Sequence, residues 1–201
     1  MTTSVAGGRS RQKERTREAI LDATRGLVEG GGEVTWPLVA AAARVSEATA
    51  YRYFPDLVTL LREAVDADWA APDEVMRPLA GVEDPVRRVG HAAEFLLRGV
   101  LARQRAVRVI LAAAITRPEA GAKRPGLRFG LIDAALDPVA GAWAASDPAA
   151  YGQLKRGLAV VVSAEALFVL TDLVGLGPEE AVASGVATAR TLTAAALGLP
   201  G

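Results

Sequence analysis

The chain has 201 residues, 51% of them hydrophobic, with 23 basic and 23 acidic side chains, one histidine and no cysteine. That length fits one domain or two small ones around a substantial core. Without cysteine there is no disulfide framework and no thiolate metal site, and a net charge of zero argues against a protein that coats nucleic acid or membrane over its whole surface.

The N-terminus has no charged-then-apolar signal pattern, so a cytoplasmic location is the simplest expectation. Residues 1–10 are rich in Gly, Ser and Arg and are expected to form a disordered arm. Charge is unevenly spread: over residues 1–25, Arg9, Arg11, Lys13, Arg15, Arg17 and Arg25 outnumber Glu14, Glu18 and Asp22. The basic excess is local to one end.

Ala, Leu, Glu and Arg dominate, Gly and Pro punctuate, and no strand-like alternation persists, so an all-α fold is expected. A first helix should run from about Arg11 to Glu29, with Ile20, Leu21, Thr24, Leu27 and Val28 at core spacing and Gly30 to Gly32 ending it. Thr35 should cap a second helix, Trp36 to Ala43, with Pro37 in its first turn.

Ser46 is a strong N-cap residue, and nothing breaks a helix from Glu47 until Pro55. This third helix spans about two turns. At about 100° per residue, Ala50 and Phe54 share one face, Ala48, Thr49 and Arg52 lie roughly opposite, and Tyr51 and Tyr53 fall on the flanks. A helix laid in a DNA major groove needs apolar residues behind it, short or hydrogen-bonding side chains at the base edges, and donors toward the phosphates. The second helix, a four-residue turn and the third helix read as a helix-turn-helix, with Val34, Val39, Ala40, Ala43, Val45, Ala50 and Phe54 as its small core.

Residue identity sharpens this. RTREAILDATRGLVEGGG, VTWPLVAAAARVS and EATAYRYFPDLVTLL, between Arg15 and Leu61, resemble the N-terminal domain of the tetracycline-repressor (TetR) family of bacterial transcription regulators. The resemblance covers about a quarter of the chain. It implies a helix-turn-helix DNA-binding domain over residues 11–55 and a helical ligand-binding and dimerisation domain over 56–201. It also implies a homodimer that binds double-stranded operator DNA and releases it when a small-molecule effector enters the C-terminal domain. Carried over by position, phosphate contacts fall on Thr35, Tyr51 and Tyr53, and Thr49 and Arg52 approach bases or backbone. Arg52 is the candidate base reader, since Arg can donate twice to guanine. Arg15 and Arg17 would steer electrostatically or meet phosphates, and Arg44, Ser46 and Ala48 complete the segment against the DNA.

Three positions depart from the family pattern. Arg44 and Ala48 stand where Gly is common, and Leu57 stands where a Lys usually meets a phosphate. If the turn needs a left-handed residue, Arg44 carries a cost of roughly 1 kcal/mol.

Further helices are expected near 57–70, 85–103, 105–116, 126–144, 148–174 and 178–198. Breaks are expected at Pro72, Pro78, Pro118, Pro125, Pro148 and Pro178, and Pro138 falls inside one helix. The segment 157–177 is long enough to span a bilayer, but Glu165 and Asp172 inside it favour a helix buried in protein. The resemblance implies that the last two helices form the dimer interface, with Leu158, Val162, Val169, Val182, Val186 and Ala189 as candidates. A mainly apolar effector pocket would draw on Trp69, Phe95, Leu111, Phe129, Ile132, Trp143 and Phe168, with His91 as one polar handle.

Enzyme readings fare poorly. No serine sits in a strand-turn-helix elbow, no Gly-rich phosphate loop follows a strand, and one histidine without cysteine leaves only carboxylates for metals, so neither cofactor nor metal is expected. The alternative class is a helical small-molecule-binding or protein-interaction module that does not bind DNA.

Overall fold

Long runs of strong helix formers give the expected result: every regular element among the described residues is helical. The computed structural model describes residues 4–116 and 126–199, those of 4–9 by backbone alone. Residues 1–3 of the expected arm, and the breaks expected at Pro118 and Pro125, lie outside that range.

The helices are α1 (Ser4–Glu29), α2 (Trp36–Ala42), α3 (Glu47–Tyr53), α4 (Leu57–Asp66), α5 (Pro72–Met76), α6 (Pro85–Ala102), α7 (Gln104–Thr116), α8 (Leu127–Ser146), α9 (Pro148–Val161), α10 (Ala164–Phe168) and α11 (Pro178–Ala196). A 3-10 turn, Arg77–Leu79, follows α5, and a π turn, Val169–Leu173, follows α10.

Several boundaries differ from expectation. α1 begins at Ser4, so part of the expected disordered arm is helical. Pro72 starts a short helix instead of only ending one, because proline is suited to a first helical position, where its missing N–H goes unused. Pro138 stays inside α8. The single helix expected over 148–174 is broken at Val162, and Ser163 caps a new one. Its Oγ accepts from Ala166 N at 3.0 Å and donates to Val160 O at 2.7 Å.

The chain divides into two compact units. One takes the described residues up to Trp69 together with Arg103 to Thr116; the other takes Ala70–Ala102 and the described residues from Gly126 on. α4 falls in the first unit, where it packs on α1 and α7. Its face is shared between two clusters. Leu60 and Ala64 join Ile20, Leu21, Val39, Ala50 and Phe54, while Leu61 and Val65 join Val28, Ala106 and Ile110.

In the second unit α6 runs antiparallel to α11. Gly90 faces Arg190 and Gly185 faces Leu97, where a Cβ on Gly185 would come within 2.7 Å of the leucine Cδ1. α8 and α9 are also antiparallel, with Asp133 paired to Lys155 and Arg128 donating to Ala159 O at 3.1 Å. That last bond completes the end of α9. Leu158 O accepts from Val162 N, Val160 O from Ser163 Oγ, and Ala159 O from Arg128, so carbonyls that the break would orphan are satisfied. No described helix is long and apolar enough to cross a membrane.

Candidate nucleic-acid interface

The turn between α2 and α3 fixes the geometry of the site. α2 closes in a Schellman arrangement: Val45 N donates to Ala40 O at 3.0 Å and Arg44 N to Ala41 O at 3.2 Å. That arrangement requires a left-handed residue, and Arg44 supplies it with φ 55°, the sole positive φ outside glycine among the described residues. The conformation that a glycine would adopt cheaply is therefore carried by an arginine whose side chain stands exposed at the mouth of the turn.

α3 starts under a complete cap. Ser46 Oγ accepts from Thr49 N at 3.2 Å and is hydrogen-bonded to Thr49 Oγ1 at 2.9 Å, where either hydroxyl can donate. The helix is two-faced. Ala50 and Phe54 are buried at 0% and 1% exposure, whereas Ala48, Tyr51 and Arg52 are exposed and Thr49 and Tyr53 half-buried. All seven expected core residues of the α2–α3 pair pack inward, Val34, Ala43 and Val45 only partly.

The expected contact residues separate into three groups. Tyr51, Arg52, Arg44 and Ala48 lie together on the open side of α3 and its turn, with the Arg52 guanidinium 6.0 Å from the Tyr53 ring. Thr35 sits at the N-cap position of α2, but only its carbonyl serves, accepting from Val39 N at 2.9 Å; its hydroxyl takes no part in the cap. The Arg17 side chain is part-exposed, at 41%. It pairs with Glu63 on α4 and lies 4.9 Å from the Phe54 ring, bracing the back of α3. Arg15 is exposed on α1.

One residue was not singled out in the sequence. Trp36, the first residue of α2, stacks against Tyr51, with ring centroids 4.3 Å apart and planes tilted by 38°. Only a contact across the turn could reveal this pairing, since fifteen residues of chain separate the two.

The expected effector residues are divided between the two units. Trp69 and Leu111 belong to the first unit, where Trp69 lies under Arg103, itself bound to Asp68 at 3.0 Å. In the second unit the His91 Nε2–H donates to Val75 O at 2.8 Å, Ile132 is buried core, Phe129 is 54% exposed, and Trp143 meets Tyr151 edge-on at 5.6 Å. Phe95 and Phe168 are half-buried. A cleft of about 780 Å³ does open in this unit, between α5 with its 3-10 turn and α8, but none of those residues lines it. Its walls include Met76, Asp73, Asp137 and Arg88 and are more polar than a mainly apolar effector would require.

The expected dimer residues differ in exposure. Leu158, Val162, Val182 and Ala189 are at most 2% exposed and belong to the core of their own unit. Val186 is half-buried and Val169 exposed. Apolar residues presented outward from α9 onward include Val169 itself and Val160, Leu173, Val174, Leu192 and Leu199.

No family model matches the chain, and comparison with curated proteins returns no similar sequence.

Proposed function

We propose that this chain is a ligand-responsive transcription regulator of the tetracycline-repressor type, acting in the cytoplasm without catalysis and binding a palindromic operator as a homodimer. The observation that carries the reading is the two-faced α3 on its Schellman turn. Ala50 and Phe54 anchor it from behind, and Thr49, Tyr51, Arg52 and Arg44 stand on the side where a major groove would lie.

A two-turn helix reads too few bases alone, and symmetry doubles the contact over half-sites about 34 Å apart or a multiple of that. Val160, Val169 and Leu173 supply exposed apolar surface for the second copy. Release by a small effector held in the second unit completes the mechanism, through differential affinity for two states of the dimer.

Selection of bound sequences from a random DNA pool tests the reading. The expected product is an inverted repeat bound with strong salt dependence. A protein that enriches no sequence and shifts no DNA at low salt would instead be a binding module without DNA, the alternative class.

A further inference from the structure

We infer that Trp36 is a DNA-contacting residue that works with Tyr51 as one clamp on a single backbone phosphate. The inference rests on the DNA-binding reading and extends it to a residue to which the sequence assigned no contact.

Three residues with neutral donors neighbour one another where α2 begins: Thr35 at its N-cap, Trp36 as its first residue, and Tyr51 of α3 stacked on Trp36. The Tyr51 ring is half-exposed, at 49%, and lies face to tilted face on Trp36 at 4.3 Å, which restricts the direction of its hydroxyl. Trp36 is itself seated against the cluster of Val39, Ala50 and Phe54, so the platform under Tyr51 is rigid. Its indole N–H has no partner among the described residues, and it is not a buried orphan, so it is open to an acceptor from outside. The adjacent Thr35 hydroxyl is likewise unspent on the helix cap.

An acceptor suited to an indole N–H, a phenol and a hydroxyl is a phosphate oxygen, which accepts from several donors at once. Base edges suit this group less, because indole donates only and offers no acceptor to read an exocyclic amine. The clamp therefore contributes affinity without sequence preference. Being uncharged, it releases no counterions of its own, which separates it from an arginine or lysine phosphate contact.

The test uses the full chain, its selected operator and an unrelated duplex. Trp36→Phe keeps an aromatic platform and removes the N–H; the expected result is about fivefold weaker binding to both duplexes, with an unchanged salt slope and melting temperature near wild type. Trp36→Ala also removes the platform, and adding Tyr51→Phe to it should cost less than Tyr51→Phe costs alone. Wild-type affinity of Trp36→Phe for both duplexes overturns the clamp, as does a loss confined to the operator. Independent losses in the double variant overturn the coupling to Tyr51. If the wild-type chain binds neither duplex, the regulator reading itself fails and the clamp with it. Should Trp36→Ala not fold, Trp36→Phe alone decides.

Discussion

Arg88 supplies the donor that Pro138 lacks. Its Nη2 donates at 2.6 Å to Ala134 O, the carbonyl four residues before the proline, which an amide at position 138 would otherwise have bonded. Nε reaches Ala135 O at 3.0 Å, and Nη1 reaches Leu79 O and Val82 O at 3.1 and 3.3 Å, so a guanidinium only 8% exposed is held wholly by main-chain oxygens. It ties α6, the 3-10 turn and α8 together.

Arg88→Met should therefore destabilise the protein by roughly 3 kcal/mol, since several carbonyls lose their donor, those of Leu79 and Ala135 at buried bonds. Adding Pro138→Ala restores an amide for Ala134 O and should recover about 1 kcal/mol, whereas Pro138→Ala alone should be near neutral. Urea unfolding of the four proteins checks this, and strict additivity would rule the pairing out.

The turn makes a second prediction. Arg44→Gly removes the Cβ from a left-handed residue and should stabilise the fold by about 1 kcal/mol, while Arg44→Ala, which keeps the Cβ, should not. Thermal melts distinguish the two. A gain for alanine equal to that for glycine would point to charge, not backbone, as the cause.

Base reading and phosphate gripping separate by their targets. Arg52→Ala should lower affinity for the selected site and relax preference at one base pair of each half-site, a discrimination of about 1–3 kcal/mol. Tyr51→Phe should weaken all duplexes alike. Competition binding with single-base variants of the site measures both; unchanged preference in Arg52→Ala would move the reading role elsewhere on α3.

Asp66 ends α4, and burial raises its carboxyl above the ordinary value of 3.8, an effect Arg62 partly offsets. With the folded pKa raised, the stability contributed by the protonated acid is complete below 3.8 and lost as pH rises through the folded value. Asp66→Asn cannot ionise. It should exceed wild type in stability at pH 7, by a small margin given its surface position, and the margin should close in acid below about pH 4. A margin that persisted or grew there would contradict burial as the cause.

What the sequence made legible was local. Ser46, Gly30 and Pro55 act on their own neighbours, so the end of α1 and the limits of α3 followed from chemistry within four residues. The inward positions of α3 followed from helical period. The break at Ser163 was hidden because VVVSAEALF contains neither Gly nor Pro, and its compensation by Arg128 comes from thirty residues away. The Trp36–Tyr51 stack and the Arg17–Glu63 pair are likewise contacts between elements, invisible to spacing. The burial of Leu158, Val162, Val182 and Ala189 within their own unit was hidden for a related reason. Periodicity identifies the buried face of a helix but does not say whether its own unit or a second copy covers it.

The chain's route through its two units bears on how such a protein could be taken apart. It leaves the first unit after Trp69, returns at Arg103 to contribute α7, and leaves again. Leu61 and Val65 have their packing partners Ala106 and Ile110 on that returning helix. A fragment ending at Trp69 would thus expose half of the α4 face to water. By the same logic, one recombination crossover cannot transfer the first unit intact; the exchange must carry α7 as well.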